Sequence, residues 1–320
     1  MQRRIRRINR QELQWPRSLK PQLLMPSGGK SEFSMSTNPR LLGLRRAIPT
    51  VGRRINIDEL KKVADKKLQK TFFVSPANNT CFIGECDYYC ETGFAICGNP
   101  DTFYASVQTY LPDQNDLERY ERRSPFKRTY SKRTQLADWQ VDPEFCRHEV
   151  LDRRPFADHP RRLLDIVDFS IFDYLMGNLD RHHYVVLNAF DHSAYPIHMD
   201  NGRGFGRVDD KPLVDDILAP FYQCCMIRPA ILNTLLNFYR GSPRHLSDAM
   251  ARSMANDPMA PVLVPPYLEA LDRRVGVVLQ RAKQCIENAV KNGHVVSDVI
   301  RNEWSWSPTR SEIKSTESDE

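Results

Sequence analysis

Apolar positions recur at a helical period over residues 163–176, where Leu163, Val167, Tyr174 and Met176, with Ile166, Phe172 and Leu175 beside them, share one face. Gly177-Asn178 then stops the pattern as a helix C-terminus would. A polar loop follows, Leu179-Asp180-Arg181-His182-His183-Tyr184. Two short apolar runs, 185–190 and 195–199, flank the turn-forming Asp191-His192-Ser193 and predict a β-hairpin. Asp200 stands at the mouth of a glycine-punctuated turn, Asn201-Gly202-Arg203-Gly204-Phe205-Gly206. The predicted order is buried helix, loop with an acid, hairpin, second acid, glycine turn.

The same periodicity predicts helices over 231–239 and 243–256. A long amphipathic helix is expected over 268–290, with Leu268, Leu271, Val275, Val278, Ala282 and Cys285 facing inward. Upstream, residues 55–70 read as one short basic helix whose Lys61, Lys62, Lys66, Lys67 and Lys70 form a solvated face. Residues 72–74 read as a strand, and 106–111 as an alternating strand ending at Pro112. Residues 1–40 are poor in periodicity and carry Pro16, Pro21, Pro26 and Pro39 with Gly28-Gly29, so they are expected to be disordered or loosely packed. The polar stretch 291–320, ending in an acidic run, is expected to be disordered as well.

With 320 residues, 41% hydrophobic and 10% aromatic, the chain can bury a sizeable core. It has no 18-residue apolar run, so no membrane-spanning helix is expected, and its first fifteen residues lack the apolar stretch of a signal peptide. The net charge of +6 is unevenly placed: residues 1–54 hold 13 Lys/Arg against two acids, or +11, which leaves about −5 for the rest. The basic balance therefore belongs to the N-terminal segment. Arg119, Arg122, Arg123, Lys127, Arg128, Lys132 and Arg133 alternate with aromatics, yet no RNA-binding motif accompanies them. They are expected to line a substrate cleft and attract acidic peptides or sulfated glycans, with no nucleic-acid partner.

Four of the eight cysteines, Cys81, Cys86, Cys90 and Cys97, fall within seventeen residues and form no CxxC pair. That spacing disfavours zinc and fits disulfides, hence an oxidising compartment. Spacing alone does not choose among the pairings. Cys224 and Cys225, being adjacent, are expected to anchor different elements. Asn78-Asn79-Thr80 is a glycosylation sequon.

Asp180 and Asp200 carry the candidate chemistry. Phosphoryl transfer needs one carboxylate to receive the acceptor hydroxyl's proton and another to hold the metal on the nucleotide phosphates. A hairpin between two acids returns the chain and lets both emerge at one end. Asp200 is a hard oxygen ligand suited to Mg²⁺ or Mn²⁺. Either acid alone reads equally as part of a solvated loop. His182 and His183 are adjacent and lack HExxH spacing, so they read as loop scaffolding and not as a zinc site.

The stretches GNLDRHHY, HMDNGRGFG and PFYQCCMIR resemble the Golgi casein kinase family of secretory-pathway kinases, also called family with sequence similarity twenty. FFVSPANNTCFIGECDYYC, RTYSKR with DWQVDPEFC, and APVLVPPYLEALDRR agree in the same order, over about residues 41–288. The resemblance implies an α+β fold: an atypical protein-kinase-like C-lobe, mainly helical with short β-hairpins and disulfide-stapled, spanning 41–290. It implies the pairs Cys81–Cys97, Cys86–Cys90, Cys146–Cys224 and Cys225–Cys285. Asp180 would be the catalytic base and Asp200 the metal ligand, with ATP and Mn²⁺ (or Mg²⁺) as cofactors. Backbone groups of Gln108, Thr109, Tyr110 and Leu111 would hold the adenine. The implied activity is phosphorylation of Ser in Ser-x-Glu motifs of secreted acidic proteins, in the Golgi lumen or outside the cell. The alternatives are a xylose kinase acting on proteoglycan linkers and a catalytically inactive partner. A homodimer, or a heterodimer with a related kinase, is the implied assembly. Two departures bear on activity. No glycine-rich sheet or strand–lysine–strand pattern precedes residue 71, so the N-lobe is expected to be largely absent. Val185 stands where the family carries an acid, and a valine cannot coordinate a cation.

Overall fold

The computed structural model describes residues 4–5, 21–24, 41–44, 46–84, 90–109, 111–126, 136–151, 161–187, 196–199, 201–206, 208–209, 216–241 and 243–302. Its organising element is helix α4 (Arg161–Met176), in which every residue from Leu163 to Met176 is buried. The apolar stripe seen in the sequence is thus one side of a helix enclosed all round. Around it pack α5 (Ala219–Cys224), α6 (Pro229–Phe238), α7 (Leu246–Met254) and the long α8 (Pro265–Lys291), sharing one apolar core that includes Phe172, Leu175, Phe221, Leu235, Met250 and Leu271. α8 presents Leu271, Val275, Val278, Ala282 and Cys285 to this core, the face expected from its sequence. Gly177 ends α4 in a left-handed conformation (φ +67°), and a Cβ there would meet the Arg274 guanidinium at 3.2 Å. Arg274 is fully buried, and its Nη1 donates to the Leu175 carbonyl at 3.1 Å, a cation placed on the negative end of the helix dipole.

Three small sheets flank this helical mass. β1 (Arg4–Ile5), β2 (Pro21–Leu24), β3 (Thr50–Asn56) and β7 (Thr102–Thr109) form the first, in the order β1-β2-β7-β3 and antiparallel throughout. Its first two strands fall within the segment expected to lack regular structure, most of which lies outside the described residues. β4 (Phe72–Val74), β5 (Thr80–Phe82) and β6 (Ile96–Cys97) form the second. Ile57, Leu60, Leu68, Phe82, Phe103 and Val107 join the two in a separate apolar core.

The single helix expected over 55–70 is two, α1 (Ile57–Val63) and α2 (Lys66–Gln69). The Asp65 carboxylate accepts from the Leu68 amide at 2.8 Å and starts the second helix as an N-cap. The front sheet is fastened to the helical mass where the Gly52 amide donates to Asp257 Oδ2 at 3.0 Å. A Cβ at Gly52 would lie 2.0 Å from Asp257 Oδ1, so any side chain here would displace that carboxylate.

The third sheet holds the predicted hairpin, β9 (His183–Leu187) against β10 (Pro196–Ile197), and a strand the sequence did not announce, β8 (Arg119–Arg123). β8 lies in the arginine-rich stretch expected to line a substrate cleft. It pairs with β9 along its whole length, Arg119 opposite Leu187 through Arg123 opposite His183, so the ladder and not its own arginine-rich sequence makes it a strand. A short α3 (Asp138–Val141) and a π-helical turn (Cys146–Leu151) complete the fold on this side.

Among the described residues, three disulfides staple the elements. Cys81–Cys97 ties β5 to β6, Cys146–Cys224 ties the π-turn to the end of α5, and Cys225–Cys285 ties the following residue to α8. The adjacent Cys224 and Cys225 do anchor different elements. Cys86, and with it the implied pair Cys86–Cys90, lies outside the described residues. Asn78 of the sequon is exposed at the tip of the β4–β5 hairpin, in a left-handed conformation (φ 59°).

Candidate active site

Asp180 sits in the loop between α4 and β9, one quarter exposed. Its backbone amide donates to Asn178 Oδ1 at 3.1 Å, and Asn178 Nδ2 in turn donates to Asp173 Oδ1 at 3.0 Å. The loop thereby hangs from the last turn of α4. Both oxygens of the Asp180 carboxylate are engaged: His182 Nε2 lies 2.7 Å from Oδ1, and Arg203 Nε lies 2.8 Å from Oδ2. His182, read in the sequence as scaffolding, therefore touches the candidate base directly.

Arg181 organises the ground beneath. Its Nε and Nη2 grip the two oxygens of Asp173 at 2.9 Å each, a bidentate pair almost wholly out of water. Nη2 also donates to Asn201 Oδ1 at 2.7 Å, and Nη1 donates to the Met199 carbonyl. The guanidinium lies 5.3 Å from the Phe169 ring centroid. One side chain next to Asp180 thus holds the chain on either side of position 200. Asp200 itself lies outside the described residues. The glycine turn is fixed to the helix as well, because the Phe205 amide donates to the Met176 carbonyl at 2.7 Å.

A second buried polar group lies farther back on α4. Asp165 and Asp168 are each at most 1% exposed; Arg46 Nη1 reaches Asp165 at 2.6 Å, Arg228 Nη2 reaches it at 2.8 Å, and Arg228 Nη1 bonds Asp168. The Arg46 carbonyl accepts from the His198 amide at 2.8 Å, which carries this network to the end of the hairpin. His198 is fully buried between Phe169 and Phe172, with ring centroids 4.1 and 4.2 Å away. Burial first, and then the charges of Arg181 and Arg46, push its pKa well below the ordinary histidine value. The imidazole is held neutral. Sequence reasoning missed both groups, although acids at positions 165 and 168 inside an apolar helix were a signal that cations must meet them.

Of the residues expected to hold adenine, Gln108 lies in β7 between Gln22 and Thr50, and the Thr109 amide donates to the Pro49 carbonyl at 3.1 Å. Leu111 is half-buried just past the strand, and Tyr110 lies outside the described residues. Val185 is half-buried in β9 directly opposite Glu121. A pocket opens beside the loop acid, lined among others by Ser124, Phe126, Asp173, Arg181, His182, Tyr184 and Asp216. Among the described residues, no three His, Cys, Asp or Glu side chains converge as a metal site.

A buried helix ending at an acid-bearing loop, a hairpin, a glycine turn and a mass of helices behind them define a protein-kinase-like C-lobe. Residues 33–294 match the family described as Golgi casein kinase, C-terminal, Fam20, and the chain belongs to that family. It is 47% identical over 274 residues to a *Caenorhabditis elegans* protein named extracellular serine/threonine protein kinase CeFam20, covering 82% of this chain and 53% of that one. A mouse protein named pseudokinase FAM20A is 42% identical (78% and 45% covered), and a zebrafish glycosaminoglycan xylosylkinase is 42% identical (81% and 61% covered). The chain thus spans about half the length of these relatives. A crystal structure of the Golgi casein kinase with Mn/ADP bound superposes with a TM-score of 0.78 at 45% identity, covering 85% of this chain and 65% of that one.

Proposed function

We propose that this chain is the catalytic part of an ATP-dependent phosphotransferase of the secretory pathway, acting on Ser in Ser-x-Glu motifs of secreted proteins. The observation that carries the reading is Arg181. By bonding Asp173, the Met199 carbonyl and Asn201 at once, it ties both neighbours of Asp200 to the loop that carries Asp180. Asp180 accepts the proton of the acceptor hydroxyl, whose oxygen bonds to the γ-phosphorus of ATP as ADP departs. His182 and Arg203 orient its carboxylate. Asp200 holds Mn²⁺ or Mg²⁺, which when bound neutralises charge on the nucleotide phosphates. The adenine would be held by backbone groups at the end of β7, among Gln108, Thr109, Tyr110 and Leu111. The disulfides suit an oxidising compartment, and the relative CeFam20 is named an extracellular kinase.

Purified chain given labelled ATP, Mn²⁺ and a Ser-x-Glu peptide is expected to label the peptide, and Asp180→Asn to abolish labelling without loss of fold. Labelling of a xylose-containing acceptor in place of the peptide would move the reading to a glycan kinase, the activity named for the zebrafish relative. Absence of transfer with either acceptor, together with co-purification of a catalytic relative, would make the chain a non-catalytic partner. Val185 favours that outcome more than any other residue here.

A further inference from the structure

A charged surface lies apart from the loop acids, on the helices beside the front sheets. α1 and α2 set Lys61, Lys62, Lys66 and Lys70 around one shallow concavity, whose other walls are Asp58 and Gln69. All four lysines are exposed, and Lys67 beside them is exposed too. The Gln69 side chain donates to the Lys61 carbonyl at 3.1 Å and holds the two helices in this arrangement. One carboxylate, Asp58, stands against four lysines in the lining. The Asp58 carboxylate accepts from Thr80 Oγ1 at 3.2 Å, and Asp65 caps α2. Lys61 leans 5.8 Å from the Phe72 ring centroid, and none of the five lysines forms an ion pair with a described residue. Four lysines on one exposed face raise the positive potential over it.

We propose that this lysine cradle is a docking site for a sulfated glycan chain. Its ligand is a linear polyanion read by point charges, which flexible ammonium groups provide. Nucleic acid would call for aromatic platforms to stack bases, and among the described residues no aromatic side chain lines the cradle. Acidic or phosphorylated peptide would be better met by arginine forks and apolar side-chain pockets, and the cradle has neither. The disulfides of the described residues suit an oxidising compartment, where sulfated glycans are found. This inference does not depend on Asp180 or on phosphoryl transfer, so a failed kinase assay leaves it standing.

The test compares the full chain with the triple variant Lys62→Gln, Lys66→Gln, Lys70→Gln, and with an Arg119→Gln, Arg122→Gln control, for binding to heparin, unsulfated hyaluronan and a poly-glutamate peptide. At about 0.15 M NaCl, the triple variant is expected to bind heparin roughly tenfold more weakly and to elute from a heparin column at lower salt. Its melting temperature should match the parent, because the replaced side chains are exposed. The arginine control should keep most of the affinity, and hyaluronan should not bind. Unchanged heparin affinity in the triple variant overturns the proposal. So does a poly-glutamate peptide that binds more tightly than heparin through the same lysines.

Discussion

Arg203 Nε meets Asp180 Oδ2 at 2.8 Å, so the glycine turn after the hairpin touches the loop acid before it. The Arg203 side chain is 62% exposed, and an ion pair in that setting contributes little to stability, about 0–1 kcal/mol. Its effect should be on orientation. Arg203→Ala is expected to lower phosphate transfer about tenfold while the melting temperature stays put, and Arg203→Lys should recover part of the rate. Steady-state transfer assays and thermal melts on the three proteins check this.

The Asp173–Arg181 pair beneath the site differs in kind because it is buried. Removing either partner leaves a charge without its counterpart away from water, at about 3–5 kcal/mol. Asp173→Ala and Arg181→Ala should each lower the urea midpoint sharply. The double variant should be less destabilised than the two single effects added together. Urea denaturation of the four proteins of that cycle measures the coupling.

His198 predicts an acid-sensitive fold. Its folded pKa is well below the ordinary histidine value of about 6.5, so the unfolded chain binds the proton more readily. The stability contributed by keeping this ring neutral is fully present above about pH 6.5 and falls as the pH drops below it. Melting temperature should therefore decline between about pH 7 and pH 5. His198→Phe, which fills the same slot between Phe169 and Phe172, should flatten that decline. A pH series of melts on both proteins decides the matter.

Val185 offers a gain-of-function test. It is half-buried in β9, directly opposite the exposed Glu121. Val185→Glu is expected to lower the Mn²⁺ concentration needed for transfer and to raise the rate about tenfold. Titrating Mn²⁺ against transfer in both proteins checks it. No difference between them would mean that position 185 does not reach the metal.

Much of this architecture could be read from residue order. α4 and α8 obey the 3.6 period closely enough to be placed, and the hairpin follows from two apolar runs on either side of a turn-forming stretch. β8 could not, since a strand of arginines and a tyrosine owes its form to β9 across from it. The break between α1 and α2 was signalled by Asp65, an N-cap residue inside an otherwise helical run. At the site, sequence order pointed to Asp180 but not to what holds it. The contacts of Arg181 with Asn201 and of Arg203 with Asp180 depend on chain reversals that no local pattern encodes, whereas His182 reaches Asp180 from two residues away. The Arg46–Asp165–Arg228 group joins residues more than a hundred positions apart and becomes visible only once the chain is folded.

Because α4 is enclosed on every side from Leu163 to Met176, it offers no solvent face on which mutations can accumulate harmlessly. Drift in chains of this build is pushed outward, to strand tips, the lysine helices and the loops. New specificities have room to arise there, while the rod at the centre stays as it is.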